Sequence, residues 1–310
     1  MLNRFSKKRF HSAHPFVLAL TASAVIFVLL IMPIPHLAAM HRLHLLLSAL
    51  EDLGHPAAFA VLGTLAIRAW PVAATSAAHW RRALCILAAA LLFGGGAEVL
   101  QSLTGRDPSM MDVLGDLLGS VAAILFHVAR TRGEFTRGLR GAATTVLLLV
   151  LATIMAPLTA TAGSYIARSR VFPLIWEPDS IWLRRFTQLH RGQYPGLAIL
   201  EPMPDWSAYD SLIVELHCLG STPLVVNIRV HDRHHDDSYS DRFNMQYEVT
   251  PNRRHRLRIP LSEISNAPAH RSMDMHAIDG VTIFLRQPGV DITRVLSIDE
   301  IRLAPALPEQ

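Results

Sequence analysis

The sequence predicts an α-helical membrane domain of about five transmembrane helices, followed by an all-β sandwich. Three observations carry that prediction. The 310-residue chain is 51% hydrophobic and only 17% charged, with a mean hydropathy of +0.29, too apolar for a soluble protein of this size. Its long apolar runs all lie before about residue 163. From about Val171 the texture changes to short β-rich runs separated by Pro, Gly, Asn and Asp, the pattern of a sandwich.

The elements divide the chain into a basic cytoplasmic N-terminus (1–14), a membrane domain (15–163), a linker (164–171) and an extracytoplasmic sandwich (172–306). Segment one, PFVLALTASAVIFVLLIMPIP, is long enough to cross about 30 Å of hydrocarbon. It follows Arg4, Lys7, Lys8 and Arg9, and LAAM at Leu37–Met40 resembles a signal-peptidase site. The apolar run exceeds the usual core of a signal peptide, about 7–15 residues, so an uncleaved anchor is expected. Segments two to five begin near His55, Ala83, Asp112 and Ala142.

Lys and Arg in short connections collect on the cytoplasmic side of a membrane. The second connection holds Arg68, Arg81 and Arg82, and the fourth holds Arg130, Arg132, Arg137 and Arg140. The intervening connections hold only Arg42 and Arg106. This asymmetry predicts a cytoplasmic N-terminus in a bacterial plasma membrane, with everything after about Gly163 outside. The formal charge of +4 is accounted for by these runs, so no nucleic-acid partner is expected; membrane lipids are. Cys85 lies within a span and Cys218 alone in the second half, which is no disulfide framework. Nothing in the sequence signals an oligomeric state.

Alternating helix direction puts Glu51, Asp52 and His55, then Glu98 and Gln101, then Arg106, Asp112 and Asp116 at one membrane depth. Glu98 and Gln101 share a helix face, as do Asp112 and Asp116. Ionisable groups at that depth are costly unless paired or hydrated. A common polar pocket is therefore expected, either as a fixed ion-pair network or as a site. In a site, His55 and Glu98 are available for proton transfer and Arg106 for holding a phosphate or carboxylate. No tight metal-ligand spacing or cofactor motif is present, so neither a metal nor a cofactor is expected.

EDLGHPAAFAVLGTL resembles the acidic-x-x-x-His-x-x-x-Phe element of the VanZ-like membrane proteins, and EVLQSLTGRDPSMMDVLGDLLG resembles their E-x-x-Q, Arg, Ser, D-x-x-x-N-x-x-G signature. Glu51, His55, Phe59, Glu98, Gln101, Arg106, Ser109, Asp112 and Gly119 stand at matching positions, over roughly residues 15–130. Asp116 replaces the usual Asn, and Asp52 a common Lys, making the pocket more acidic. The resemblance implies a cell-envelope setting, named for glycopeptide resistance, rather than a reaction.

In the second half SLIVELHCL, PLVVNIRVHD, HRLRIPL, GVTIFLRQ and SIDEIRL read as the clearest strands. The order of WSAYDSLIVEL, LVVNIRVHD, RLRIPLSEI, MDMHAIDGVTIFL and LSIDEIRL resembles the galactose-binding-like jelly rolls, which include carbohydrate-binding modules. That resemblance implies glycan contact through exposed rings. Tyr239 and Trp182 are the candidates, whereas Trp206 and Tyr209, just before a strand, read as packing residues. HDRHHDDSYSD, His231 to Asp241, offers His234, His235, Asp236 and Asp237 to a divalent cation but reads more simply as a solvated loop. No nucleophile–base constellation and no assignable acid pair for glycoside cleavage is present. The expected role is thus non-enzymatic: a VanZ-like membrane domain presenting a jelly roll to a cell-wall glycan or lipid-linked saccharide. A membrane enzyme or transport factor acting on a lipid headgroup, and a scaffold binding a protein partner, are the alternatives.

Overall fold

A computed structural model describes Thr21 and residues 43–73, 75–103 and 108–306. The first expected span, apart from Thr21, and Arg106 lie outside the described residues. The helices are α1 (His44–Asp52), α2 (Gly54–Ala69), α3 (Ser76–Leu103), α4 (Met110–Arg130) and α5 (Arg137–Val171). Among the described residues, four stretches are long and apolar enough to cross a membrane: α1 with α2, then α3, α4 and α5. They correspond to segments two to five, each opening earlier than expected and the second by the most. The second candidate span opens at His44 rather than His55, because α1 leads into α2 through a single break at Leu53. The chain divides into two compact units: residues 46–159 belong to the first, and His44 and Leu45 at the start of α1 belong to the second together with everything from Ala160, so that α5 is shared between the two. Residues 164–171, read as a linker, are helical turns.

In the helical unit α2 and α4 approach closely because small residues meet. Gly63 faces Ser120 and Ala123, and a Cβ on Gly119 would run into the backbone of Pro56. Without a hydrophobic drive between helices in lipid, such close backbone approach is what holds them. Ser109 caps α4 by accepting from the Asp112 amide at 3.3 Å, with Asp112 in the positive first turn. At the other end Arg82, buried rather than a loop charge, donates to the carbonyls of Ile67 (3.3 Å) and Trp70 (3.1 Å) and so closes the C-terminus of α2. Elsewhere α3 and α5 turn their apolar side chains outward: Leu92 is 75% exposed and Leu149 63%.

The second unit is a two-sheet antiparallel sandwich. Its strands are β1 (Leu174–Trp176), β2 (Thr187–His190), β3 (Gly196–Leu200), β4 (Ser211–Cys218), β5 (Leu224–Asp232), β6 (Phe243–Val249), β7 (Arg254–Pro260), β8 (Ile278–Leu285) and β9 (Leu296–Ala304). They form sheets of order β1-β9-β4-β7 and β2-β3-β8-β5-β6. With β2 set aside as an added edge strand, these are the two four-stranded orders of a jelly roll. Leu212, Val214 and Leu216 of β4 pack across the interior against Val226, Ile228 and Val230 of β5 and Val281 and Ile283 of β8. Each such fully buried side chain contributes about 2 kcal/mol. Trp206 is wholly buried with its indole N–H donated to the Met203 carbonyl at 2.8 Å, and Tyr209 stacks edge-on against Phe172, so both are packing residues.

Candidate functional site

The jelly-roll groove is built from the outward face of the five-stranded sheet. Alternation along β5 sends Val226, Ile228 and Val230 to the core and Asn227 and Arg229 to the opposite face; on β8 it sends Thr282 and Phe284 the same way. The strand register lines these up. Arg229 lies between Thr282 and Asn244, and Asn227 between Phe284 and Gln246. Beyond Phe284 and Thr282, β3 presents only Gly196 and Ala198, so the sheet face is low there. Over these floor strands lies a groove of about 680 Å³.

Its rims carry rings. Tyr194, from the β2–β3 turn, meets Phe284 edge-on at 6.0 Å, and on the far side Tyr239 is 61% exposed. The Arg242 guanidinium sits 5.5 Å from the centre of the Tyr239 ring, and Asn244 donates to the Tyr239 carbonyl at 3.0 Å. Arg229 donates to the Thr282 hydroxyl (3.3 Å), and Arg242 through Nε to Asn244 Oδ1 (3.2 Å). Burial, with Arg242 close by, pulls the Arg229 guanidinium below its ordinary range, and Asp237 opposes this only weakly. Trp182 does not line the groove; it lies against Gly163.

The His-Asp loop holds Tyr239 in place. Arg271 grips two carboxylates at once: Nε and Nη2 donate to Asp241 (2.6 and 2.9 Å), and Nη1 and Nη2 to Asp232 (2.6 and 2.8 Å). Asp232 also accepts the Asp274 and His234 amides. This guanidinium holds the Asp241 carboxyl down at about 2 and Asp232 below the usual range despite burial. Burial, helped by His235 and Arg229, pushes His231 down to about 4. His235, Asp236 and Asp241 can converge on a cation, yet both oxygens of Asp241 are already taken by Arg271. The loop is an ion-paired brace, which the sequence reading, seeing only its solvated residues, did not anticipate.

The helical unit brings most of the expected polar pocket together. His55 Nδ1 lies 3.1 Å from Asp116 Oδ1 and Nε2 lies 3.7 Å from Asp112 Oδ2. Glu98 Oε2 accepts the Ser109 amide. Gly94 faces the Asp116 carboxylate, where a Cβ would collide with it. Gln101 is buried one turn beyond Glu98, while Glu51 makes no hydrogen bond or ion pair among the described residues. Among the described residues, Glu98 Oε1 and Asp116 Oδ2 are buried without a hydrogen-bond partner. An imidazole between two carboxylates can hold or pass a proton, and His55, Glu98 and Asp112 can turn three ligand atoms toward one point. At the opposite ends of these helices is a cluster the sequence reading missed: Arg82 Nη2 lies 3.0 Å from His127 Nε2, and His79 Nε2 lies 3.5 Å from Glu134. Its signal was Arg82 and His79 sharing one face of α3.

A family 11 carbohydrate-binding module from Clostridium thermocellum, in complex with a β-1,3-1,4-mixed-linked tetrasaccharide, is similar to this chain at 16% identity. The likeness covers 40% of this chain and 75% of the module, with a TM-score of 0.29. An exo-β-agarase is similar at 18% identity over 38% of this chain and 19% of the agarase, with a TM-score of 0.29. No protein-family model and no curated protein matches the chain.

Proposed function

We propose that this chain is a membrane-anchored saccharide-binding protein whose groove on the five-stranded sheet takes a glycan chain. The observation that carries the reading is the groove itself, an open trough with Phe284, Tyr194 and Tyr239 beside hydrogen-bonding groups. Aromatic faces suit the C–H faces of sugar rings, and flanking polar groups suit the hydroxyls. Four apolar stretches suit an anchor, and the distribution of Arg and Lys among their connections supports a sandwich lying outside a bacterial plasma membrane. The ligand would then be a cell-wall glycan or a lipid-linked saccharide, and a resemblance of the helical half to VanZ-like proteins would fit the same envelope setting.

The test is binding of the full chain, in lipid nanodiscs, to a panel of immobilised polysaccharides and to purified sacculi. Phe284→Ala with Tyr194→Ala should abolish binding, and Tyr239→Ala should weaken it about tenfold, a loss of about 1.4 kcal/mol. Trp182→Ala should leave it unchanged. Absence of binding by folded protein, or full binding by the ring variants, sinks the proposal.

A second reading rests on two buried carboxylate oxygens, of Glu98 and Asp116, that have no partner among the described residues; they favour a site on a lipid headgroup within the helices. If that holds, Glu98→Gln abolishes a cellular phenotype while the protein remains folded in the membrane. If the cluster only fixes the helices, the variant protein is lost from the membrane instead.

A further inference from the structure

We infer that the groove is built for an acidic saccharide, one carrying carboxylate, phosphate or sulfate groups along its chain. This rests on the saccharide-binding reading and narrows it. Arg191, Arg229, Arg242 and Arg286 line the groove with His190, and among the described residues no Asp or Glu lines it. None of the four arginines makes an ion pair among the described residues, although six other arginines of the sandwich do. Asp237 and Asp291 act on Arg229 and Arg191 only from beyond ion-pair distance.

The hydrogen-bond inventory points the same way. A guanidinium donates and never accepts. Two of the groove's side-chain acceptors are already used, since Thr282 Oγ1 receives Arg229 and Asn244 Oδ1 receives Arg242; the others, on Gln193, His190, Tyr194 and Tyr239, are neutral. A neutral sugar offers hydroxyls that need acceptors as well as donors. Four guanidinium groups with unspent donors, and no carboxylate among the lining acceptors, instead suit a ligand rich in anionic acceptor oxygens. Planar guanidinium groups match carboxylate, phosphate and sulfate oxygens in paired geometry, and an unpaired cluster of like charge draws polyanions from solution. Tyr194, Tyr239 and Phe284 supply the ring faces that distinguish a saccharide from a bare anion.

The test uses the full chain in phosphatidylcholine nanodiscs and a matched pair of polymers: polygalacturonate and its full methyl ester, which share a backbone and differ in charge. A glycosylated teichoic acid provides the phosphate arm and inorganic polyphosphate the sugar-free control. At least tenfold tighter binding to polygalacturonate than to its ester, or to teichoic acid than to polyphosphate, is expected, and the stronger arm identifies the anionic group. Arg229→Ala with Arg242→Ala should abolish the difference. Arg254→Ala with Arg256→Ala, which removes the same charge from the other sheet, should preserve it. Equal binding of the ester overturns the inference and leaves the saccharide reading intact. Equal binding of polyphosphate, or equal loss in the Arg254/Arg256 variant, reduces the effect to ion exchange and overturns it as well. If folded chain binds none of these polymers the inference falls, and the saccharide reading is decided by the polysaccharide panel.

Discussion

Arg271 is the single side chain on which most of the loop beside the groove depends. Removing it leaves Asp232, whose side chain is wholly buried, as an uncompensated charge. Arg271→Ala should cost about 3–5 kcal/mol of sandwich stability, read from urea unfolding of the sandwich signal, with Tyr239 losing its fixed position. The neighbouring groups set the acid response. The fold holds His231 at about 4 against an ordinary 6.5, so between those values the unfolded chain binds more protons and stability falls as pH falls. Asp232 and Asp241 are depressed, so their contribution is present above the ordinary carboxylate value of 3.8 and is lost as pH drops through it toward 2. The sandwich melting temperature should therefore decline from pH 6.5 to 4 and more steeply below, and His231→Gln should flatten the first part only. A flat profile from pH 7 to 4 would show that His231 is not held neutral by burial. None of this was visible in HDRHHDDSYSD, because Arg271 and Asp274 join that loop from a distant stretch of chain.

At the scale of elements, the sequence marked the helices better than the strands. Long apolar runs identify spans by length alone, and the alternation of helix direction was enough to bring His55, Glu98, Asp112 and Asp116 to one level. It did not reveal which polar residues turn inward: Arg82 beside Arg81 read as loop charge, and only the helical phase of α3 aims it at α2. Among the strands, FNMQYEV of β6 was missed because it is half-exposed without clean alternation, and GLAIL of β3 because a short, wholly apolar run has no period. Since those two strands flank β5 and β8, the groove was out of reach: its residues meet only through cross-strand register. The contact between α2 and α4 has its own test. Gly119→Val pushes a branched side chain into Pro56 and should cost about 1–3 kcal/mol, seen as a lower melting temperature in nanodiscs, whereas Gly95→Val, which has open space, should cost less.

For the molecule as a whole, the proposed topology predicts that the groove can be reached from outside the cell. In a Cys85→Ala background, Tyr239→Cys should react with a membrane-impermeant maleimide on intact cells; labelling only after lysis would reverse the orientation. Cys218, buried in the core, should stay silent. The arginine-lined trough carries a consequence for the empty protein too. Its like charges repel one another while nothing occupies it, so the vacant sandwich is held below its attainable stability. Added salt screens that repulsion and also the attraction to a polyanion. Raising ionic strength should thus toughen the unliganded domain against heat while loosening its grip on the proposed acidic saccharide, two opposite responses from one set of side chains.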